Sequence, residues 1–134
     1  MVKIPGQIKD FLKNYLAYVA TADEKGRPNV VPKGDMAILN DDTLLFADLY
    51  RHQTWKNLTK NTNIAITVVN PASYRGYELK GKARIVERGK EYDSLARAAL
   101  GDGQLNNPDA KYAVKVKVSK IIDIGYTQTA DKEI

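Results

Sequence analysis

The sequence predicts a mainly β protein, an antiparallel β-barrel with peripheral helices. Three observations carry this: short strand-like segments recur along the chain, polar turns join them directly, and only isolated segments of helical period come between. The 134 residues are enough to bury one ordinary core and few for two, so a single domain over 1–134 is expected.

Residues 6–14 place Ile8, Phe11 and Leu12 at helical spacing, continued by Tyr15, which predicts a short amphipathic helix lying as a lid on the sheet. Residues 16–22 alternate and close on a polar turn, 23–27, where Gly26 suits a positive φ; this is a hairpin signal. The returning strand, 28–39, contains Pro32, which has no N–H for a ladder, so a local interruption is expected at Pro32-Lys33-Gly34. After a turn at 40–42 comes a strand at 43–47, then a polar loop at 48–54 and a helical turn or two at 55–61. The β-branched run 64–69 predicts a strand buried on both faces.

Following a loop at 70–73, residues 76–87 form a long strand. It puts Tyr77, Leu79, Gly81, Ala83, Ile85 and Glu87 on one face and Glu78, Lys80, Lys82, Arg84 and Val86 on a second, mostly solvated face. Tyr92, Leu95, Ala96, Ala99 and Leu100 recur at helical spacing within 89–100, and Gly101-Asp102-Gly103 supplies the stop. Two strands, 112–118 and 121–126, finish the sheet, and 127–134 reads as a frayed or partner-seeking tail.

Composition narrows the chemistry. With no cysteine and one histidine there are no disulfides, no thiolate nucleophile and no ordinary zinc or iron–sulfur ligand set, so no metal site is expected. Hydrophobic residues make up 43% and charged residues 28%, no apolar run reaches bilayer length, and the N-terminus lacks a signal-like apolar core, so a cytoplasmic protein away from membranes is expected. The net charge of +5 comes from 21 basic and 16 acidic residues that are interleaved along the chain, which speaks against nucleic-acid binding.

Two strand exits stand out. One is Val30-Val31-Pro32-Lys33-Gly34, and the other is Ala47-Asp48 followed by Tyr50-Arg51-His52-Gln53-Thr54-Trp55. Cationic and hydroxyl side chains gathered at two such exits suit a phosphorylated ligand. Taken in order with Gly81-Lys82-Ala83, these segments resemble the pyridoxamine 5′-phosphate oxidase-like family, the FMN-binding split barrels, from about residue 11 to residue 124.

The resemblance implies a six-stranded antiparallel split barrel, dimerising so that FMN lies in two clefts at the subunit interface. It implies that Val31, Pro32, Lys33 and Gly34 run along the isoalloxazine, and that Ala47 and Asp48 lead into a phosphate loop carrying Arg51, His52, Gln53 and Thr54. Arg75 is a further candidate near the flavin. Where family members related to the true oxidase commonly have Arg and Lys, this chain has His52 and Gln53, and it lacks an oxidase-like C-terminal Arg-x-His segment. Vitamin B6 oxidation is therefore disfavoured.

The expected function is an FMN-dependent oxidoreductase or electron carrier with an unknown small-molecule or protein redox partner. Two alternatives are an F420-dependent reductase and a non-catalytic flavin- or haem-binding module. No general acid or base is assigned: Asp41 and Asp42 are explained by their turn, and the redox chemistry would be the cofactor's. Lys33 would lie beside the flavin ring rather than be a solvated strand-end lysine. Trp55 fits a core cap or dimer seam better than a flavin stack, and Lys80, Lys82 and Arg84 fit one polar sheet face.

Overall fold

Strand formation follows the period-two pattern. The computed structural model describes residues 2–126 and 130–134. The elements are α1 (Gly6–Asn14), β1 (Ala17–Ala22), β2 (Pro28–Lys33), β3 (Ala37–Asn40), β4 (Thr43–Asp48), α2 (Gln53–Leu58), β5 (Asn63–Asn70), β6 (Arg75–Glu87), α3 (Lys90–Ala98) and β7 (Tyr112–Asp123). In β1, Ala17, Val19 and Thr21 point into the core while Tyr18 faces out, and β6 buries Tyr77, Leu79, Gly81 and Ala83 while exposing Lys80, Lys82 and Arg84.

All seven strands join one antiparallel sheet in the order β2-β1-β5-β6-β7-β4-β3. The expected strand over 28–39 is two strands: Pro32 and Lys33 still pair with Tyr18 and Ala17, and the ladder ends at Gly34. The resulting β2 and β3 lie at opposite edges of the sheet. Only residues 34–36 connect them, a tether that reaches about 14 Å at full stretch. Six strand spacings laid flat would span about 29 Å. The sheet must therefore curl until its edges approach, giving a split barrel closed by the chain and not by a hydrogen-bonded ladder. Seven strands, rather than six, build it.

Two other expectations change. The final two strands are one, β7, whose register with β6 slips between Lys80 and Gly81. Ser119 stands at this bulge and its hydroxyl donates to the Lys80 carbonyl at 3.2 Å, so the polar Ser119-Lys120 pair marks a bulge rather than a break. The strand buried on both faces is β4, not β5. Leu44 and Phe46 face the barrel interior, while Leu45 and Ala47 face an outer layer formed by Val86, Tyr92, Leu95 and Leu105. Among the described residues no such layer covers β5, and Ala65, Thr67 and Val69 are half-buried.

The barrel interior is apolar. Ile8 and Leu12 of α1 plug it together with Ile4, against Val19, Ile66, Leu79, Val114 and Val116. Phe11 meets the rings of Tyr15 and Tyr77 edge-on at 5.2 and 5.1 Å. The second cluster, under α3, buries Val86, so the outer face of β6 is solvated only over part of its length. Within the expected tail, 127–129 lie outside the described residues. Residues 131–134 are not frayed: the amides of Asp131 and Ile134 donate to the carbonyls of Asp123 and Ile121, covering the edge of β7 beyond its pairing with β4.

Asp42 is buried in its turn and accepts hydrogen bonds from Lys117 at 2.6 Å and Thr43 at 2.8 Å. These contacts, Lys117 first, hold its carboxyl below the ordinary carboxylate range. A lowered folded-state pKa stabilises the fold above the unfolded-state value, and that contribution is lost as pH falls through the folded one. Asp42→Asn is therefore expected to lower the melting temperature at neutral pH and to flatten its acid limb. A melting curve against pH that keeps the wild-type acid limb would contradict this.

Candidate functional site

The two strand exits open onto one cleft. Its volume is about 390 Å³, and it is lined by Val31, Pro32, Lys33, Gly34, Ala47, Asp48, Leu49, Tyr50, His52, Thr54 and Gln104. The cleft lies where the barrel is split, because β2 leaves the sheet at Lys33 and β4 ends at Asp48. Residues after α3 brace the second wall: the Ala47 amide donates to the Gly103 carbonyl at 2.8 Å, and the Lys111 amide to that of Asp48 at 2.8 Å. Gly103 takes φ +54 and has the carbonyl of Leu45 and Ala37 within 3.0–3.2 Å of where a Cβ would stand, so a side chain there would be strained and crowded.

At the base of the cleft is a polar triad. Lys33 Nζ is ion-paired with Asp48 Oδ1, their side chains being 20% and 9% exposed. Burial pulls the Lys33 ammonium below the usual lysine range. The other carboxylate oxygen of Asp48 accepts from the Tyr112 hydroxyl. Burial, opposed by Arg51 and reinforced by Glu87, pushes the Tyr112 phenol up to about 12, so it remains a donor throughout the neutral range. Lys33 Nζ also stands 5.5 Å from the centroid of the Phe46 ring.

Of the residues singled out from the sequence, Val31, Pro32, Lys33, Gly34, Ala47, Asp48, His52 and Thr54 come together on this wall. Thr54 is buried; His52 is exposed and stacks on Tyr50, ring centroids 5.3 Å apart at 18°. Three candidates lie elsewhere. Arg51 is paired with Glu87 and packs its guanidinium 5.6 and 5.8 Å from the ring centroids of Trp55 and Tyr112. Gln53 donates to Asn57 at 2.8 Å, among the polar residues beside α2. Arg75 begins β6, donating to the Tyr77 hydroxyl at 3.3 Å, at the opposite end of the strand from Glu87. Trp55 packs against the barrel core.

Leu49, Gln104 and Tyr112 are not singled out by the sequence, and Tyr50 is there only as part of the second strand exit. Leu49 is within reach, since it sits inside the same loop. Gln104 and Tyr112 come from the far end of the chain, and nothing in their local sequence marks them: Tyr112 reads as the first residue of a strand.

Comparison with known proteins gives a consistent picture. The family profile described as pyridoxamine 5′-phosphate oxidase matches residues 4–124. The uncharacterized protein MJ0282 of Methanocaldococcus jannaschii is 30% identical over 138 residues, covering 100% of this chain and 89% of that protein. HupZ of Group A Streptococcus superposes with a TM-score of 0.80 at 30% identity, over 95% of this chain and 98% of that one. A putative pyridoxamine 5′-phosphate oxidase of Lactobacillus delbrueckii gives 0.77 at 21% identity, over 90% and 93%. The fold alone is shared with an FMN-binding protein of Syntrophomonas wolfei (0.67, 15% identity, 91% and 91%), an F420 reductase (0.63, 20%, 88% and 98%) and HutZ, the haem storage protein of Vibrio cholerae (0.60, 18%, 91% and 95%).

Proposed function

The chain belongs to the pyridoxamine 5′-phosphate oxidase family, and from that premise we propose that it is an FMN-binding flavoprotein acting as an oxidoreductase or electron carrier. The observation that supports this most is the cleft itself. Its volume falls in the range of small-molecule sites, and apolar backbone-rich walls from Val31, Pro32, Gly34 and Ala47 meet a few placed polar groups. Lys33 and Asp48 would face the ring, while Thr54, Tyr50 and His52 offer donors toward a phosphate. Bound FMN would supply hydride and single-electron chemistry. The chain's own part is to bind and orient the ring and to keep water from it.

The same proposal includes a homodimer with its clefts at the interface. On the outer face of β1, β2 and β5, the rows Pro32-Tyr18-Thr67 and Val30-Ala20-Ala65 lie side by side. Tyr18 is 44% and Val30 59% exposed. Pro32 belongs both to this face and to the cleft wall, so a second copy seated here would border the ligand. A monomer by sedimentation at micromolar concentration would overturn this arrangement.

The cofactor test is titration with FMN, F420 and haem in parallel, followed by flavin fluorescence and absorbance. FMN is expected to bind, and Thr54→Val is expected to weaken it about tenfold by removing a buried donor. A protein that leaves FMN fluorescence unchanged while binding F420 or haem would replace this reading.

A further inference from the structure

Among the described residues, Lys33 and Asp48 are the charged side chains on the cleft wall, and they are paired with each other. The wall therefore offers no net charge, but it holds a donor and an acceptor side by side. The Lys33 ammonium has three donors, of which Asp48 engages one; the carboxylate has about four acceptor positions, of which Lys33 and Tyr112 fill two. Asp48 is 8% exposed, and the Tyr112 hydroxyl prevents it from turning away. Val31, Pro32 and Ala47 surround the pair with apolar surface, where an unmet polar group is costly.

We propose that Lys33 and Asp48 together read an imide edge, CO–NH–CO, on the ligand's ring. Lys33 donates to a ring carbonyl and Asp48 accepts from the neighbouring ring N–H. This rests on the flavin reading above and adds the atoms: the pyrimidine edge of FMN, with N3–H on Asp48 and an adjacent carbonyl on Lys33. It also fixes polarity. With the Lys33 ammonium already matched by Asp48, this wall has no net charge to hold a phosphate, so the ring's pyrimidine edge enters first and the phosphate stays toward His52 and Thr54. A deazaflavin carries the same edge. Haem carries no such edge.

The test compares FMN with 3-methyl-FMN, in which the N3 hydrogen is replaced. The wild-type protein is expected to bind the methylated flavin at least about tenfold more weakly, as a site built around a hydrogen bond rejects the analogue lacking it. Lys33→Met/Asp48→Leu removes both charges at once, which keeps either from being stranded. It is expected to bind both flavins weakly and equally. Equal binding of the two flavins by the wild-type protein overturns the imide assignment and leaves FMN binding intact. A preference that survives in the double variant assigns N3–H to another group and also overturns it. Binding of neither flavin to the wild-type protein overturns both readings. Should the double variant not fold, the wild-type comparison decides.

Discussion

Gly81→Ala is expected to cost the protein most of its stability. Gly81 pairs with Val118 beside the β6–β7 bulge, near the middle of the sheet. An added Cβ would be driven into the carbonyl oxygen of Lys117 and would lie 2.9 Å from its carbonyl carbon and 3.1 Å from the Val118 Cα. All three are backbone atoms held by the ladder, so no side chain can rotate away to make room. Relief would require separating two strands that carry Leu79, Ala83, Val116 and Val118 of the core. The expected loss exceeds about 4 kcal/mol, against a total of about 5–15 kcal/mol for an ordinary domain. The melting temperature should fall by at least about 10 °C, or the variant should accumulate unfolded. Gly6→Ala, where nothing lies within 4 Å of the new carbon, is the matched control and should melt close to wild type. Equal melting of the two variants would show that β6 and β7 do not approach in this way.

Lys33→Met should act on both stability and binding. It preserves the length and apolar stem of the side chain but strands the buried Asp48 carboxylate, whose remaining partner is the Tyr112 hydroxyl. Breaking one side of a buried ion pair costs about 3 kcal/mol, to be read from denaturant midpoints. FMN affinity should fall about tenfold or more through loss of a charged donor. Adding Asp48→Leu should restore much of the stability and none of the affinity. A single variant with both wild-type stability and wild-type affinity would remove Lys33 from the site.

The fold was legible where neighbouring residues decide it. The hairpin of 16–22 with the strand starting at 28, the α1 lid and α3 follow from local period, and the expected interruption at Pro32-Lys33-Gly34 lies where β2 gives way to β3. What local pattern does not reveal is which faces acquire a second layer. The β-branched run of β5 reads as doubly buried, yet it is β4, with a threonine at one end and an aspartate at the other, that lies between the barrel core and α3. Val86 looked solvated for the same reason, since α3 returns to cover it. The cleft was legible as two chain segments. Its polar base was not, because the Asp48–Tyr112 bond spans 64 residues and exists only once β7 has paired with β4. Arg51 is the reverse case: a guanidinium in a polar loop invites a phosphate, and the fold sets Glu87 and two aromatic rings beside it, which local sequence does not reveal.

The tether of residues 34–36 limits how far apart the two edges of the sheet can stand where the cleft opens. A barrel fully laddered around its circumference changes girth only by breaking or re-registering hydrogen bonds. This one has a seam that no ladder crosses among the described residues, bridged by the peptide and by the Lys33–Asp48 ion pair, so its gauge depends on chain length, and Lys33 sits at one end of the gauge. Lengthening that span by a residue or two would leave all ladder pairs intact while moving one cleft wall away from the other. A longer or shorter span would thus widen or narrow the cleft on the same sheet.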